Sequence, residues 1–206
     1  MELGFTVLRE PGGRLGTFGL ILHPDQLFHV VGAGQWDQTF FVDVTAADVI
    51  AISAIHDQLR QHDNSLINVN RLATQLRQLK ALPHGTPLRF LGYFAILESV
   101  LTHAPKPNDP YDSITRQVKK KLLLLDHRWQ PTIDYSPFRG TDPERLWAKM
   151  YDYRSRLAHG DEPTFTGDLA VLGKHAKALK LIKETAKAVI RQALIEPQLM
   201  VDLREC

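Results

Sequence analysis

Two periods of apolar and polar residues divide the chain. From Met1 to about Thr45, short β-branched and aromatic runs, TVL, TFGLIL, FHVV and TFFVDV, are separated by Gly, Pro and Asp clusters at strand spacing. They predict three or four antiparallel strands. After Thr45, itself an expected N-cap, the period lengthens from two residues to nearly four and keeps that length to the end. Helices are predicted near 46–61, 65–82, 87–104, 112–127, 143–159 and 168–195. The loops between them read LPHGTP, HAPKPNDPYD, QPTIDYSPFRGTDP and GDEPTFTGD. Thr86-Pro87 and Asp142-Pro143 each set a proline at the first helical position behind a capping residue. The expected fold is therefore α+β and mainly α: a small antiparallel β region over 1–45 and a helical bundle over 46–206.

Composition changes this picture little. A chain of 206 residues, 44% hydrophobic and 23% charged, has the balance of an ordinary globular protein and is long enough to bury a core. One cysteine, Cys206, leaves no intrachain disulfide to form. The opening MELGFTVLRE lacks the basic stretch and apolar run of a secretory signal, so a cytoplasmic location is expected. The longest apolar run, LLLL at 122–125, is far too short to cross a bilayer, and no membrane partner is expected. A formal charge of +2 is too small to announce a nucleic-acid binder, so any such reading must come from where the charges lie.

Several kinds of site are disfavoured by their residues. PGGRLGTFG lacks the Lys and the Ser or Thr of a P-loop, and VGAGQW lacks the third glycine of a dinucleotide fingerprint; both read as hairpin turns. His56, His62, His103, His127 and His175 show no spacing that sets two on one helix face beside a carboxylate or cysteine, so neither a metal nor a cofactor is expected. There is no G-x-S-x-G segment, and Cys206 is a poor nucleophile candidate.

The segment 143–159 holds the residues with the most chemistry. On a helix of 3.6 residues per turn, Leu146, Met150, Tyr153 and Leu157 fall on one stripe, the expected core face. Roughly opposite, Tyr151, Ser155 and His159 recur at four-residue steps, and Arg154 stands between the stripes beside Trp147 and Ala158. Such a mixed face suits contact with another chain, and a twofold dimer would bring two copies together. Arg154 and His159 are about 140° apart around the axis and about 7.5 Å along it, so helical geometry alone does not pair them. The pair has the chemistry of phosphodiester transesterification: a proton donor and acceptor, and a fixed positive charge for the phosphate oxygens. The plainer reading is a helix ended by His159 with Gly160 in the left-handed position, and Arg154 and Arg156 pairing with Asp152 and Glu162.

The stretch Y-x-x-R-S-x-x-x-H-G, carried by Tyr151, Arg154, Ser155, His159 and Gly160, resembles the signature of the HEPN superfamily (higher eukaryotes and prokaryotes nucleotide-binding), in particular its ApeA-like branch. FLGYFAILESVL followed by DSITRQVKKKLLLL is similar to the same branch, and the likeness spans about residues 87–195. The resemblance implies a dimerising helical bundle with a composite site across the dimer axis and metal-independent endoribonuclease activity. Many relatives serve in toxin–antitoxin pairs, abortive infection and antiviral defence. Carried over by position, Arg154 and His159 are the catalytic pair, Ser155 holds the polar position, Tyr151 supports, and Glu98 orients Arg154. For Glu98 the alternative is a surface carboxylate on an otherwise apolar helix.

Basic residues add a further candidate. Arg116, Lys119 and Lys120 lie on nearby turns and could touch RNA phosphates; Lys177, Lys180, Lys187 and Arg191 line one face of the last predicted helix. A solvated face is the default for both. The expected partners are RNA, a second copy of the chain, and an antitoxin or regulatory protein. A non-catalytic helical dimer that binds RNA, a nucleotide or a protein is the alternative.

Overall fold

The computed structural model describes residues 6–9, 15–18, 45–83, 85–105, 109, 112–138 and 140–206. The chain divides into two compact units, Met1–Val49 and Ile50–Cys206. In the first, β1 (Thr6–Arg9) and β2 (Leu15–Phe18) pair antiparallel, with Thr6 opposite Phe18 and Arg9 opposite Leu15. The LGTF portion of the glycine-rich stretch is thus strand. Residues 11–14, VGAGQW and the strands expected at FHVV and TFFVDV lie outside the described residues.

Most of the described chain is helical. Helix α1 (Ala46–Gln61) starts at a reciprocal cap, in which the Thr45 N–H donates to Asp48 Oδ2 at 2.9 Å and the Asp48 N–H donates to Thr45 Oγ1 at 3.2 Å. The second unit holds α2 (Val69–Ala81), α3 (Pro87–Leu101), α4 (Ile114–Asp126), α5 (Pro143–Ala158), α6 (His175–Ile195) and α7 (Pro197–Glu205). Two short 3-10 turns, Ser136–Phe138 and Gly167–Leu172, lie in the loops on either side of α5. No helix among the described residues is long and apolar enough to cross a membrane.

Where elements depart from the sequence expectation, local hydrogen bonds explain it. Residues 65–68 do not begin α2, because the Asp63 carboxylate draws in the Ser65 N–H at 2.9 Å and the Asn68 side chain caps the helix by accepting the Arg71 N–H at 2.8 Å. Helix α3 stops at Leu101 rather than 104: Thr102 is extended and its hydroxyl donates to the Glu98 carbonyl at 2.8 Å. Thr86 precedes Pro87 without a side-chain capping bond, whereas Asp142 accepts the Arg145 N–H at 3.1 Å. The single helix expected over 168–195 is broken, since Gly173 turns at φ +69° and Lys174 is extended before α6 begins. Helix α7 was not expected; Pro197 starts it and Met200 anchors it in the core.

Helix α3 is the centre of the bundle. Phe90, Tyr93, Phe94, Ile96, Leu97, Val100 and Leu101 are all buried, which covers more than one face, and α2, α4, α5, α6 and α7 all touch it. Each such side chain contributes about 1.5–3 kcal/mol through removal from water. At Gly92 helix α3 lies tight against α2: a Cβ there would collide with Leu79 Cδ2. Gly92→Ala is expected to force Leu79 aside and lower stability by about 1–3 kcal/mol, read as an earlier urea midpoint at unchanged slope.

Candidate functional site

The site is built on α5 and the part of α3 that packs against it. Asp142 and Pro143 start α5, and Leu146, Trp147, Met150 and Tyr153 are buried along it. Trp147 does not lie on a solvent-facing or partner-facing stripe. It packs in the core, where its Nε1–H donates to Tyr135 Oη at 3.3 Å and burial pushes the Tyr135 phenol up to about 12. Arg154 is seven residues on, only about 20° from Trp147 around the axis, so its guanidinium starts at the edge of the buried face.

There it meets α3. Arg154 Nη2 donates to Glu98 Oε2 at 3.0 Å, with 30% of the arginine side chain and 18% of the glutamate side chain exposed. The guanidinium carbon lies 5.6 Å from the centroid of the Tyr151 ring, and that ring packs edge-on to Phe94 at 6.0 Å. Phe94 and Glu98, one turn apart on α3, thus face Tyr151 and Arg154 on α5. Glu98 is not a free surface carboxylate. Its other oxygen, Oε1, is buried without a hydrogen-bond partner among the described residues. The ion pairs that Asp152 and Glu162 would make with Arg154 and Arg156 are not formed, and Asp152 instead accepts from Lys149 Nζ at 3.0 Å.

His159 is the C-cap of α5 (φ −85°, ψ 0°), and its side chain is exposed. Its N–H donates to the Ser155 carbonyl at 3.1 Å, so half-buried Ser155 touches the cap through its backbone. Gly160 (φ +83°) then reverses the chain, with its N–H on the Leu157 carbonyl at 3.1 Å and the Asp161 N–H on the Arg156 carbonyl at 3.0 Å. This is the glycine-capped end that the sequence suggested. No hydrogen bond or ion pair joins Arg154 to His159 within one chain; the arginine is engaged by Glu98.

The basic run on α4 splits three ways. Lys119 bridges to Glu144 Oε1 on α5 at 2.8 Å, Arg116 and Lys120 are exposed one turn apart, and Lys121 is buried with Nζ donating to the Arg204 carbonyl at 3.1 Å. Burial lowers the Lys121 pKa. Of the basic residues on α6, Lys187 bonds Glu184 and Arg191 bonds the Gln130 carbonyl, whereas Lys177 and Lys180 are exposed.

One polar contact here has no counterpart in the sequence reading. Tyr153 Oη and His175 Nδ1 lie 2.7 Å apart, enclosed by Phe90 and Phe165, and His175 Nε2 is buried without a partner among the described residues. Burial lowers the His175 pKa and raises that of Tyr153, so both stay neutral near pH 7. Among the described residues, no group of three or more His, Cys, Asp or Glu side chains is placed to hold a metal ion.

No family model matches the chain, and neither a curated protein nor a solved structure matches it.

Two outcomes follow from this geometry. Glu98→Ala leaves a partly buried guanidinium unpaired and is expected to cost about 1–3 kcal/mol, with Arg154→Met recovering part of that loss in a double-mutant cycle. The His175 pKa is lowered by folding, so the unfolded chain takes up the proton first. Stability should fall as pH drops below the unfolded value of about 6.5, by at most about 1.4 kcal/mol per pH unit, until the folded imidazole also protonates. Urea midpoints at pH 7.5 and 5.5 check this, and His175→Phe should flatten that part of the profile.

Proposed function

We propose that the chain is a metal-independent endoribonuclease of the HEPN type, acting in the cytoplasm as a homodimer and serving as a toxin or antiviral-defence effector. The observation that carries this reading is the Glu98–Arg154 ion pair against the Tyr151 ring, on a helix whose exposed cap is His159. An arginine whose direction is set by a carboxylate on a neighbouring helix is a pre-organised charge for a phosphate. A histidine side chain exposed at a helix end is open to contact by a substrate. A second copy related by a twofold axis would supply the other imidazole and guanidinium.

In this reading the ribose 2′-hydroxyl attacks the adjacent phosphorus as it loses its proton. Arg154 binds the oxygens of the pentacovalent phosphate, and His159 moves protons between the 2′-oxygen and the leaving 5′-oxygen. Glu98 orients Arg154, Tyr151 backs the guanidinium, and Ser155 fills the polar position beside it. In this reading Arg116 and Lys120, exposed one turn apart on α4, contact flanking phosphates. The products end in a 2′,3′-cyclic phosphate and a 5′-hydroxyl, and DNA, which lacks the attacking group, is not cut.

A second reading, a non-catalytic helical dimer that binds RNA, a nucleotide or a regulatory protein, is favoured by one observation. Ile50, Ile52 and Ile55 on α1 are exposed apolar side chains of the kind partners cover.

Induction of the wild type is expected to arrest growth and to produce RNA with cyclic-phosphate ends. His159→Ala should lower cleavage by about 10²–10⁴-fold and Arg154→Ala by about 10²–10³-fold, with EDTA leaving the wild-type rate unchanged. Intact RNA after incubation with purified protein, together with full biological effect from both variants, would select the binding reading.

A further inference from the structure

A separate concave site lies near the other end of α6. Arg128, Trp129 and Gln130, which follow α4, face Ala188, Arg191 and Ile195 across a cavity of about 340 Å³. That volume is within the range of small-molecule sites. His175, which contacts α5, opens α6, and Ala188 is thirteen residues further along. At the helical rise, about 20 Å separates this cavity from the end of α6 that meets Tyr153. It is not part of the Glu98–Arg154 cluster.

The lining is rich in hydrogen-bond donors. Arg191 uses only Nη1, on the Gln130 carbonyl at 3.3 Å, and the rest of its guanidinium has no partner among the described residues. Trp129 lines the cavity and is itself only 3% exposed. Charge is also unbalanced. Glu196 is held at Oε1 by Arg128 at 3.3 Å and at Oε2 by the Gln192 amide at 2.9 Å, so it neutralises one of the two arginines and leaves Arg191 as the net positive charge. On either side of Arg191 along the same helix face lie apolar residues, with Ala188 buried and Ile195 57% exposed despite its aliphatic side chain.

We propose that this cavity binds a small organic anion. A carboxylate or phosphate-monoester head meets Arg191, and an apolar or aryl body covers Ala188 and Ile195. Burying that body removes Ile195 from water, and the head supplies the charge that the lining lacks. Fixed charge and an exposed aliphatic wall meet in one cavity, and each is answered by a different part of such a ligand.

Calorimetric titration of the full chain with benzoate, phenyl phosphate, inorganic phosphate and benzyl alcohol tests this. Benzoate or phenyl phosphate should bind saturably with a Kd below about 1 mM, the tighter of the two identifying the head group, and inorganic phosphate and benzyl alcohol at least about tenfold more weakly. Arg191→Gln, and independently Ile195→Glu at the exposed wall, should each weaken the organic anion at least about tenfold, while His159→Ala binds as wild type. Ile195→Glu keeps the test valid if Arg191→Gln fails to fold. The proposal is overturned if neither organic anion binds below about 1 mM, if inorganic phosphate binds as tightly as they do, or if both lining variants bind as wild type. Failure here leaves the ribonuclease reading untouched, because that reading stands on His159 and Arg154.

Discussion

The enclosure of α3 governs the rest of the second unit. With seven apolar side chains buried on more than one face, this helix is stable only when neighbours cover it from several directions, and α2, α4, α5, α6 and α7 do so. The same enclosure constrains its two charged residues. Arg89, near one end, is buried and its guanidinium bonds the Lys80 carbonyl at the close of α2. Glu98, near the other, is met by Arg154. A carboxylate set into so apolar a helix without a cation would cost several kcal/mol, so packing α5 there and placing an arginine at 154 are one requirement.

Helix α5 is held along its whole length, which leaves its last residue as the part that faces outward. Asp142 caps its start, the Lys119–Glu144 bridge joins it to α4, and Leu146, Trp147, Met150 and Tyr153 fill the core. The Tyr153–His175 contact ties it to the first turn of α6. Beyond that contact the chain reverses at Gly160, and His159 stands exposed at the end of a fixed support. Rigid placement of a side chain that is itself free is the usual requirement of a site that must meet a ligand in one orientation.

Much of this was legible where chemistry is local. The ends of α5 were read to within a residue because Asp142-Pro143 and His159-Gly160 are start and stop signals set by backbone geometry. The helical period after Thr45 was legible from the spacing of apolar residues alone. Contacts between distant parts of the chain were not. A helical wheel set Trp147 beside Arg154 but could not tell that the bundle buries the indole, since coverage depends on which helices pack there. Glu98 and Arg154, 56 positions apart, came together on paper only through the HEPN likeness, and spacing carried no sign of their ion pair. The run of three lysines on α4 looked uniform, yet their phase about the axis pairs Lys119, exposes Lys120 and buries Lys121. Tyr153 and His175 were lost to the expectation of one continuous helix over 168–195, in which a histidine at 175 has no reason to turn inward.

The break at Gly173 and Lys174 has its own mechanical meaning. Two rigid segments joined without interruption share one rotational register, so adding a residue to the first swings the second through about 100°. Here the extended Lys174 resets that register between Leu172 and His175. Length changes in the connection after Gly160 are therefore absorbed before they reach α6, and the residues that α6 presents to the core keep their orientation.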